Sequence, residues 1–396
     1  MEKLVHGGEG LGRLEGKVVL VPFVLPGEVV RVETVSETKD LIRARLLEVL
    51  QPSAERSDPP CEYFGRCGGC QLQHTAYERQ VEWKKAILAE TLDRIGRLDA
   101  PEIETVTGPP LEYRNRVQLH VRGRRIGFFR AGTHELQPVM HCPVAAPAIS
   151  EAIPHLRRMA HQPRFPEFLQ SFELFTNGDE IQFNVLQSGG RRLARGFFVW
   201  CAKQLPGADR PALDYRAAGE TFRVGHRSFF QVNRFLIDEL VRATVPEEGD
   251  GWALDLYAGV GLFSLPLARR FGRVTAVESG RGAAEDLEFN AARAGVAVEI
   301  RRDTVQNYLQ ALGDTPDFIV ADPPRAGLGK RVTAELARLR VPLLTLVSCE
   351  PSTLARDLAA LAAAGYSIER MTLIDLFPQT HHIETVTRLR RANTAG

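Results

Sequence analysis

The sequence has little of what marks several classes of protein. Six cysteines in 396 residues are too few for a disulfide scaffold. The longest apolar run, Val18 to Leu25, has eight residues and includes Pro22, so we expect neither a membrane span nor a signal peptide. Lys and Arg total 50 against 49 Asp and Glu, so no overall basic field attracts polyanions. The apolar fraction of 44% is that of an ordinary globular chain.

The chain has the length of two or three domains, and its first half is rich in β-type patterns. Short β-type runs between Gly and Pro turns over residues 3–52 predict a small OB-like β-barrel. A polar linker, Gln51 to Pro60, follows this region. A helix at 75–98 is expected to pack on the C-terminal domain. Residues 101–218 read as a second β-rich domain, with Arg195 to Val199 as one of its strands.

From about Thr221 onward, strand and helix patterns alternate. Such alternation predicts the α/β class, with a doubly wound, Rossmann-like parallel sheet. The ligands of these sheets bind at the carboxyl ends of the strands. We therefore predict a barrel domain at 1–54, a central domain at 55–220 and a catalytic α/β domain at 221–396.

The first strand of the α/β domain ends in a turn that contains Gly259 and Gly261, which lets the backbone approach a ligand. A dinucleotide fingerprint requires a third glycine where this chain has Ser264, which disfavours nicotinamide. Glu278 follows 19 residues after Gly259, where a carboxylate can accept hydrogen bonds from ribose hydroxyls. The pattern predicts a nucleoside site. Asp303 either contacts an adenine edge or caps the next helix.

Three further side chains are expected at the same edge of the sheet. Asp322 precedes two prolines after the fourth strand, a turn that holds the base or the cofactor in nucleic-acid methyltransferases. Cys349 follows the fifth strand, two residues before Pro351, where it is either a nucleophile or an inert buried thiol. An edge hairpin would return Glu384 to this thiol, although Glu384 alone reads as an exposed strand residue.

Cysteines also cluster early in the chain, which indicates metal chemistry. Cys61, Cys67 and Cys70 need a fourth ligand, and Cys142 is the best candidate. Four thiolates suit either a [4Fe-4S] cluster or zinc. Cys201 has no partner in the sequence and reads as an ordinary buried residue.

Local basicity appears over residues 111–135, which hold six arginines against Glu112 and Glu135. Aromatic residues interleave with these arginines, as in surfaces that bind single-stranded RNA, although a solvated strand face would show the same pattern. The candidate RNA-contacting residues are Arg114, Arg116, Arg122, Arg124 and Arg130.

Taken together, five motifs resemble those of the RNA uracil-C5 methyltransferase family, in particular its long bacterial branch that methylates 23S ribosomal RNA. The N-terminal stretches His6–Gly10 and Leu25–Val29 resemble the RNA-binding TRAM barrel of that branch. The five motifs are Phe229–Asn233, Asp255–Gly261, Asp322–Arg325, Ser348–Pro351 and Phe377–Glu384.

This resemblance implies Cys349 as the nucleophile and Glu384 as the general base. It also implies a structural [4Fe-4S] cluster on the four clustered cysteines. One departure is Glu350, where the family usually has Asn, because its charge is expected to raise the pKa of the neighbouring thiol. The resemblance implies Gln231, Tyr257, Glu278 and Asp322 around S-adenosylmethionine, and the strand-end pattern adds Gly259, Gly261 and Asp303 to the candidate cofactor contacts.

The expected function is methyl transfer from S-adenosylmethionine to C5 of a specific uridine in 23S rRNA, through an adduct between Cys349 and C6. Because a stacked base hides both carbons, the uridine must flip into the site. We expect a cytoplasmic monomer that acts before or during ribosome assembly. Two alternatives stay open: the same chemistry on a tRNA loop, and a catalytically silent RNA-binding or rRNA chaperone protein, which Glu350 would favour.

Overall fold

A computed structural model describes residues 1–392 of the chain. No helix in this part of the chain is both long and apolar enough to cross a membrane. The first 51 residues form a five-stranded sheet in the order β1-β2-β3-β5-β4. Its strands are β1 (Lys3–Leu4), β2 (Glu9–Leu14), β3 (Lys17–Pro22), β4 (Val29–Glu37) and β5 (Leu41–Gln51).

This N-terminal sheet supplies the five strands of the small OB-like barrel that the sequence predicts, but its two edges are not joined within the described residues. Within residues 1–392, no register joins the edge strands β1 and β4. The reason is geometric, since β1 has only two residues and cannot form a second ladder. The N-terminal sheet has a small hydrophobic core of its own, in which Val21 and Val24 are fully buried.

The second region contains a mixed set of helices and strands. Strands β7 to β11 form one sheet in the order β11-β10-β7-β8-β9, against which α2 packs. The elements are α1 (Tyr77–Thr91), β6 (Ile103–Val106), β7 (Arg116–Arg122), β8 (Arg125–Phe129), β9 (Leu136–Pro138), α2 (Pro147–Ala160), β10 (Ser171–Thr176), β11 (Ile181–Gln187) and α3 (Arg195–Ala202).

Helix α3 corrects the strand predicted for Arg195 to Val199. The aromatic and β-branched residues of this segment favour a strand locally. In the structure, Phe197 and Cys201 lie one helical turn apart and are both buried, while Val199 faces solvent. A helix buries that pair on one face, so tertiary packing overrides the local preference.

The third region holds the α/β domain, preceded by a hairpin. Its elements are β12 (Ala212–Ala217), β13 (Glu220–Gly225), α4 (Ile237–Thr244), β14 (Trp252–Leu256), α5 (Ser264–Ala268), β15 (Arg273–Val277), α6 (Arg281–Ala294), β16 (Glu299–Arg301), α7 (Val305–Ala311), β17 (Phe318–Ala321), α8 (Gly329–Leu339), β18 (Leu343–Ser348), α9 (Pro351–Ala363), β19 (Tyr366–Ile374) and β20 (Glu384–Arg391).

The predicted doubly wound sheet is confirmed, with the order β16-β15-β14-β17-β18-β20-β19-β6. Strands β14 and β17 are buried along their whole length, as expected for parallel strands covered on both faces. The strand order reverses at β14, which opens a crevice at the carboxyl edge of the sheet. Strand β20 runs antiparallel to β18, so its first residue also lies at this edge.

The chain crosses between the second region and the α/β domain. Strand β6 lies within the range predicted for the central domain, yet it pairs in parallel with β19. Helix α1 and the π-helical turn that follows it, Leu92–Gly96, pack against α9. The exact division into three domains stays a prediction.

Candidate active site

The turn after β14 has the backbone that close approach to a ligand requires. Gly259 and Gly261 have φ values of 56° and 96°, and Tyr257 takes φ 63° although it is not a glycine. A Cβ on Gly261 would lie 2.3 Å from Leu287 Cδ1, whereas the space beside Gly259 is open. Glu278 Oε2 accepts a hydrogen bond from Gly259 N at 2.9 Å, which ties the ends of two neighbouring strands together.

A buried carboxylate supports the same turn. Ser264 Oγ donates a hydrogen bond of 2.5 Å to Asp255 Oδ2, while Asp255 Oδ1 is buried and has no hydrogen-bond partner among residues 1–392. Burial raises the pKa of Asp255 to about 7. Ser264, which breaks the dinucleotide fingerprint, thus supports the end of β14. An unpartnered acceptor beside an open glycine turn and an oriented glutamate fits a nucleoside-bearing cofactor such as S-adenosylmethionine.

Gln231 and Asp322 meet across the crevice. Gln231 Nε2 lies 3.5 Å from Asp322 Oδ2, although they are 91 positions apart. Gln231 is buried, and its neighbour Asn233 donates a hydrogen bond of 3.1 Å to the carbonyl of Leu376. Phe229, in the same motif, is 60% exposed. The segment 229–233 therefore forms one wall of the crevice and carries an exposed ring at its rim.

Cys349 and Glu384 come together through the antiparallel pairing of β18 with β20. Ser348, the last residue of β18, pairs with Thr385. The next residues along the two strands are Cys349 and Glu384, so the register brings the thiol and the carboxylate to opposite positions. Glu384 is 5% exposed, which differs from the exposed strand residue that its local sequence suggests.

Burial and like charge set the protonation states at this edge. Burial and the nearby charge of Asp322 raise the pKa of Glu384 well above its ordinary value. Burial raises the pKa of Asp322 to about 7. Burial, with the charges of Glu384 and Asp322, raises the pKa of Cys349 to about 11, and only Arg325 opposes this among nearby side-chain charges. The free protein therefore holds Cys349 as a neutral thiol near pH 7.

Arg325 is a site residue to which sequence reasoning gave no role. Its charge lowers the pKa values of both Cys349 and Glu384, and its guanidinium lies 3.3 Å from His382 Nε2. The sequence signal was a cation directly after a carboxylate and two prolines at the end of a predicted strand.

Glu350 is turned towards other partners than the thiol. Its Oε1 accepts a hydrogen bond of 2.8 Å from Ser352 Oγ and lies 3.7 Å from His6 Nδ1. The largest influences on the pKa of Cys349 are burial, Glu384, Arg325 and Asp322, so Glu350 is not among the main causes of its rise.

The segment before Glu384 is held by the residues that follow the cysteine cluster. Gln71 N and Leu72 N each donate a hydrogen bond of 3.0 Å to the carbonyl of Gln379. The side chain of Gln80 makes two hydrogen bonds of 3.0 Å to Gln379: its Nε2 donates to Gln379 Oε1, and its Oε1 accepts from the backbone N of Gln379. Gln379 has φ 68°, so these contacts stabilise a strained turn five residues before Glu384.

A buried ion pair ties α1 to the same segment. Lys84 Nζ lies 2.6 Å from Asp375 Oδ1 and donates a second hydrogen bond of 2.9 Å to the carbonyl of Phe377. Both charged side chains are 1% exposed. The interaction is therefore not screened by solvent. Through it, α1 anchors the segment that leads to Glu384.

The four clustered cysteines line one cavity of about 210 Å³. Burial raises the pKa of Cys67 to about 11 and that of Cys70 to about 12, and Cys142 adds to both shifts. Gly69 N donates a hydrogen bond of 3.4 Å to Cys67 Sγ. Among residues 1–392, no three His, Cys, Asp or Glu side chains converge closely enough to hold a single metal ion. Cys201 is fully buried in the core, away from this cavity.

The predicted RNA-contacting arginines have different surroundings. Arg116 is 9% exposed, pairs with Glu173 at 2.9 Å and stacks on Phe175, so it is an internal residue, contrary to the prediction. Arg124 and Arg130 are each paired with a glutamate at 3.3 Å. Arg122 is exposed over an aromatic ring, whereas Arg114 lines the cysteine cavity.

Asp303 lies at the start of α7, where its Oδ1 accepts a hydrogen bond of 2.7 Å from Thr304 N. Thr304 is the N-cap, since its side chain accepts from Asn307 N at 3.3 Å. Asp303 thus supports the helix start from an exposed position.

Comparisons with known proteins agree with this geometry. The family described as tRNA (Uracil-5-)-methyltransferase matches residues 201–392, and the TRAM domain matches residues 1–40. An RNA methyltransferase of Aquifex aeolicus is 34% identical over 98% of this chain and 97% of its own length. The 23S rRNA (uracil(1939)-C(5))-methyltransferase RlmD of Chromohalobacter salexigens is 35% identical over 100% of this chain and 90% of its own length.

The solved structures include a similar full-length protein. The tRNA (uracil-54, C5)-methyltransferase of Pyrococcus abyssi, in complex with S-adenosyl-L-homocysteine, is 26% identical. It superposes with a TM-score of 0.76, covering 98% of this chain and 99% of that one. The chain thus belongs to the S-adenosylmethionine-dependent RNA uracil-C5 methyltransferases and carries an N-terminal TRAM domain.

Proposed function

We propose that this enzyme methylates C5 of a specific uridine in 23S rRNA, with Cys349 as the nucleophile and Glu384 as the general base. The observation that carries the proposal is the register of β18 and β20, which sets this thiol opposite this carboxylate at the rim of the cofactor crevice. Uracil C5 is too weak a nucleophile to attack a methyl sulfonium directly. A thiol that adds at C6 solves this problem.

In the first step, Cys349 releases its proton to water, and the thiolate sulfur forms a bond to C6. The electron pair of the C5–C6 double bond moves towards O4, which makes C5 nucleophilic. C5 then takes the methyl group of S-adenosylmethionine, whose sulfur keeps the electron pair of the broken bond. Arg325 favours the thiolate, and a proton held by Asp322 would remove one of the two charges that oppose it, while Glu384 stays ionised as the base of the last step.

In the last step, Glu384 removes the proton from C5. The electron pair of that C–H bond restores the C5–C6 double bond and expels the Cys349 thiolate. A carboxylate with a raised pKa is the stronger base near neutral pH, which supports this role for the buried Glu384. We further assign the cofactor contacts to Gln231, Tyr257, Gly259, Gly261, Glu278 and Asp322, with Asp303 at the outer edge.

The choice of 23S rRNA rests on sequence identity rather than on architecture. The relative named for 23S rRNA is 35% identical, and the tRNA (uracil-54, C5)-methyltransferase is 26% identical. That tRNA enzyme aligns with 98% of this chain, so the additional N-terminal regions do not by themselves discriminate the two substrates. Methylation of a tRNA loop is therefore the alternative that any test must include.

We also propose that Cys61, Cys67, Cys70 and Cys142 bind a [4Fe-4S] cluster. Four thiols around one cavity suit either this cluster or zinc, and the resemblance to the branch that methylates 23S rRNA favours the cluster. The amide of Gly69 would stabilise a thiolate at Cys67. The reaction needs no electron, so the cluster would have a structural role. It would hold residues 61–72 against residues 377–384, which we call the catalytic segment.

The enzyme is proposed to act as a monomer in the cytoplasm, on rRNA before or during ribosome assembly. Among the predicted arginines, Arg122 is the best placed to contact RNA, because it is exposed and has no carboxylate partner within residues 1–392.

The test is release of tritium from C5 of labelled uridine in 23S rRNA and tRNA transcripts, with S-adenosylmethionine and the full-length enzyme. Release from 23S rRNA that disappears in Cys349→Ala is the expected result. Glu384→Gln lacks the base that removes the C5 proton, so the enzyme should stay attached to the RNA through Cys349. This adduct should survive denaturation. Release from tRNA alone would overturn the substrate. No release despite RNA binding would identify the silent RNA-binding protein.

A further inference from the structure

A second polar cavity lies on the central domain, outside the catalytic crevice. It has a volume of about 660 Å³ and opens between the loop 163–168 and the start of α3. Phe197 lines its floor and belongs to the hydrophobic core, where its ring meets that of Phe165 edge-on at 6.0 Å. The cavity is therefore built on packed core residues. We call it the central cleft, defined by Arg164, Glu167, Phe168, Arg191, Arg192 and Trp200.

The central cleft carries positive charge that the protein does not neutralise. Arg164, Arg191 and Arg192 are exposed, and none has an ion-pair partner among residues 1–392. Its one lining carboxylate, Glu167, is paired with Arg124 at 3.3 Å. Three guanidinium groups in one concave surface form a site for anions.

Aromatic faces lie beside these charges. The guanidinium of Arg191 stacks over the ring of Phe168 at 5.3 Å from its centre. Trp200 is half-buried and lies 6.0 Å from Phe197, so its ring is oriented by the core. Arginines interleaved with partly exposed aromatic rings are the combination that binds single-stranded nucleic acid, by phosphate pairing and base stacking.

We propose that the central cleft is a second RNA-binding site, which holds a single-stranded segment of the substrate away from the target uridine. Its arginines contact phosphates, and a base stacks on Phe168 or Trp200. The inference rests on the proposed function, because it takes RNA as the substrate. It also gives the central domain a basic contact surface. In the predicted run, by contrast, Arg116 is buried, and Arg124 and Arg130 form ion pairs with glutamates.

The test compares two triple variants of the full-length enzyme that remove the same charge. One is Arg164→Gln/Arg191→Gln/Arg192→Gln. The control is Arg97→Gln/Arg340→Gln/Arg356→Gln, whose arginines are exposed and form no ion pair within residues 1–392. Binding to a fluorescent 23S rRNA fragment is measured over a series of salt concentrations.

The cleft variant loses three phosphate contacts, and each contributes about 0.7 to the salt dependence of binding to a single strand. The slope of log affinity against log salt should therefore become less steep by about two. Phe168→Leu should weaken binding by about fivefold or more, as loss of a stacking partner does, and leave the slope unchanged. Unchanged binding in the cleft variant, or an equal loss in the control, would overturn the proposal. Because binding is measured without turnover, failure of the roles given to Cys349 and Glu384 would be recognised separately.

Discussion

His6 Nδ1 lies 3.7 Å from Glu350 Oε1, so the N-terminal domain contacts the catalytic domain one residue from the proposed nucleophile. The ring of His6 also meets that of His381 edge-on at 5.9 Å. Glu350 is thus part of a contact between domains, and its carboxylate is satisfied there. The residue that departs from the usual family pattern has a structural partner of its own.

This contact predicts that Glu350→Asn retains activity. Because the carboxylate is not among the main influences on the pKa of Cys349, tritium release should change by no more than about threefold, as for a substitution worth about 0.5 kcal/mol. Glu384→Gln serves as the inactive control. If Glu350→Asn instead increased the alkylation rate of Cys349 tenfold or more at pH 7, the charge of Glu350 would act on the thiol after all.

The raised pKa of Cys349 predicts a steep pH dependence of its chemical reactivity. Only the thiolate reacts with iodoacetamide, so the rate of Cys349 alkylation should rise about tenfold per pH unit between pH 7 and 10. Because the Glu384 charge raises this pKa, Glu384→Gln should react faster than wild type at pH 9. Arg325→Gln should react more slowly, since it removes the opposing cation.

The measurement is mass spectrometry of the peptide that contains Cys349, after timed alkylation of the full-length protein. Cys201, which is fully buried with a pKa raised to about 12, is the internal reference. Equal rates in Glu384→Gln and wild type would show that the carboxylate does not influence the thiol.

The hydrogen bonds between residues 71–72 and Gln379 predict that the cysteine cluster stabilises the catalytic segment. In Cys70→Ser, amides in residues 377–384 should exchange with solvent about tenfold faster, which corresponds to about 1.4 kcal/mol of local stability. Hydrogen exchange followed by mass spectrometry measures this directly. Exchange that stays at the wild-type rate, with iron lost, would separate the cluster from the catalytic segment.

The buried pair of Lys84 and Asp375 predicts a large effect on stability. Lys84→Met leaves an unpaired buried carboxylate and should lower the free energy of unfolding by about 3–5 kcal/mol. The double variant Lys84→Met/Asp375→Leu should recover most of this loss, because no buried charge then remains. Urea unfolding of the three proteins provides the comparison. A loss below about 1 kcal/mol in the single variant would contradict a solvent-free pair.

Several features of the site follow from local sequence, because strand ends carry local signatures. Gly259, Asp322 and Cys349 each follow a short apolar run, and parallel strands bring such positions to one edge. That reasoning predicted the doubly wound sheet and the cofactor crevice. It was wrong for Arg195 to Val199, where the burial of Phe197 and Cys201 on one helix face outweighs local strand preference.

By itself, the sequence determined which groups are present for chemistry and in which order the strands present them. Only the tertiary structure decided their charge states and contacts: Glu384 is buried opposite Cys349, Arg116 is used internally, and Glu350 faces His6. The physical reason is the distance along the chain over which each kind of interaction acts. Backbone preferences act over a few residues, whereas desolvation and Coulomb interactions depend on neighbours that are distant in the chain and close in space.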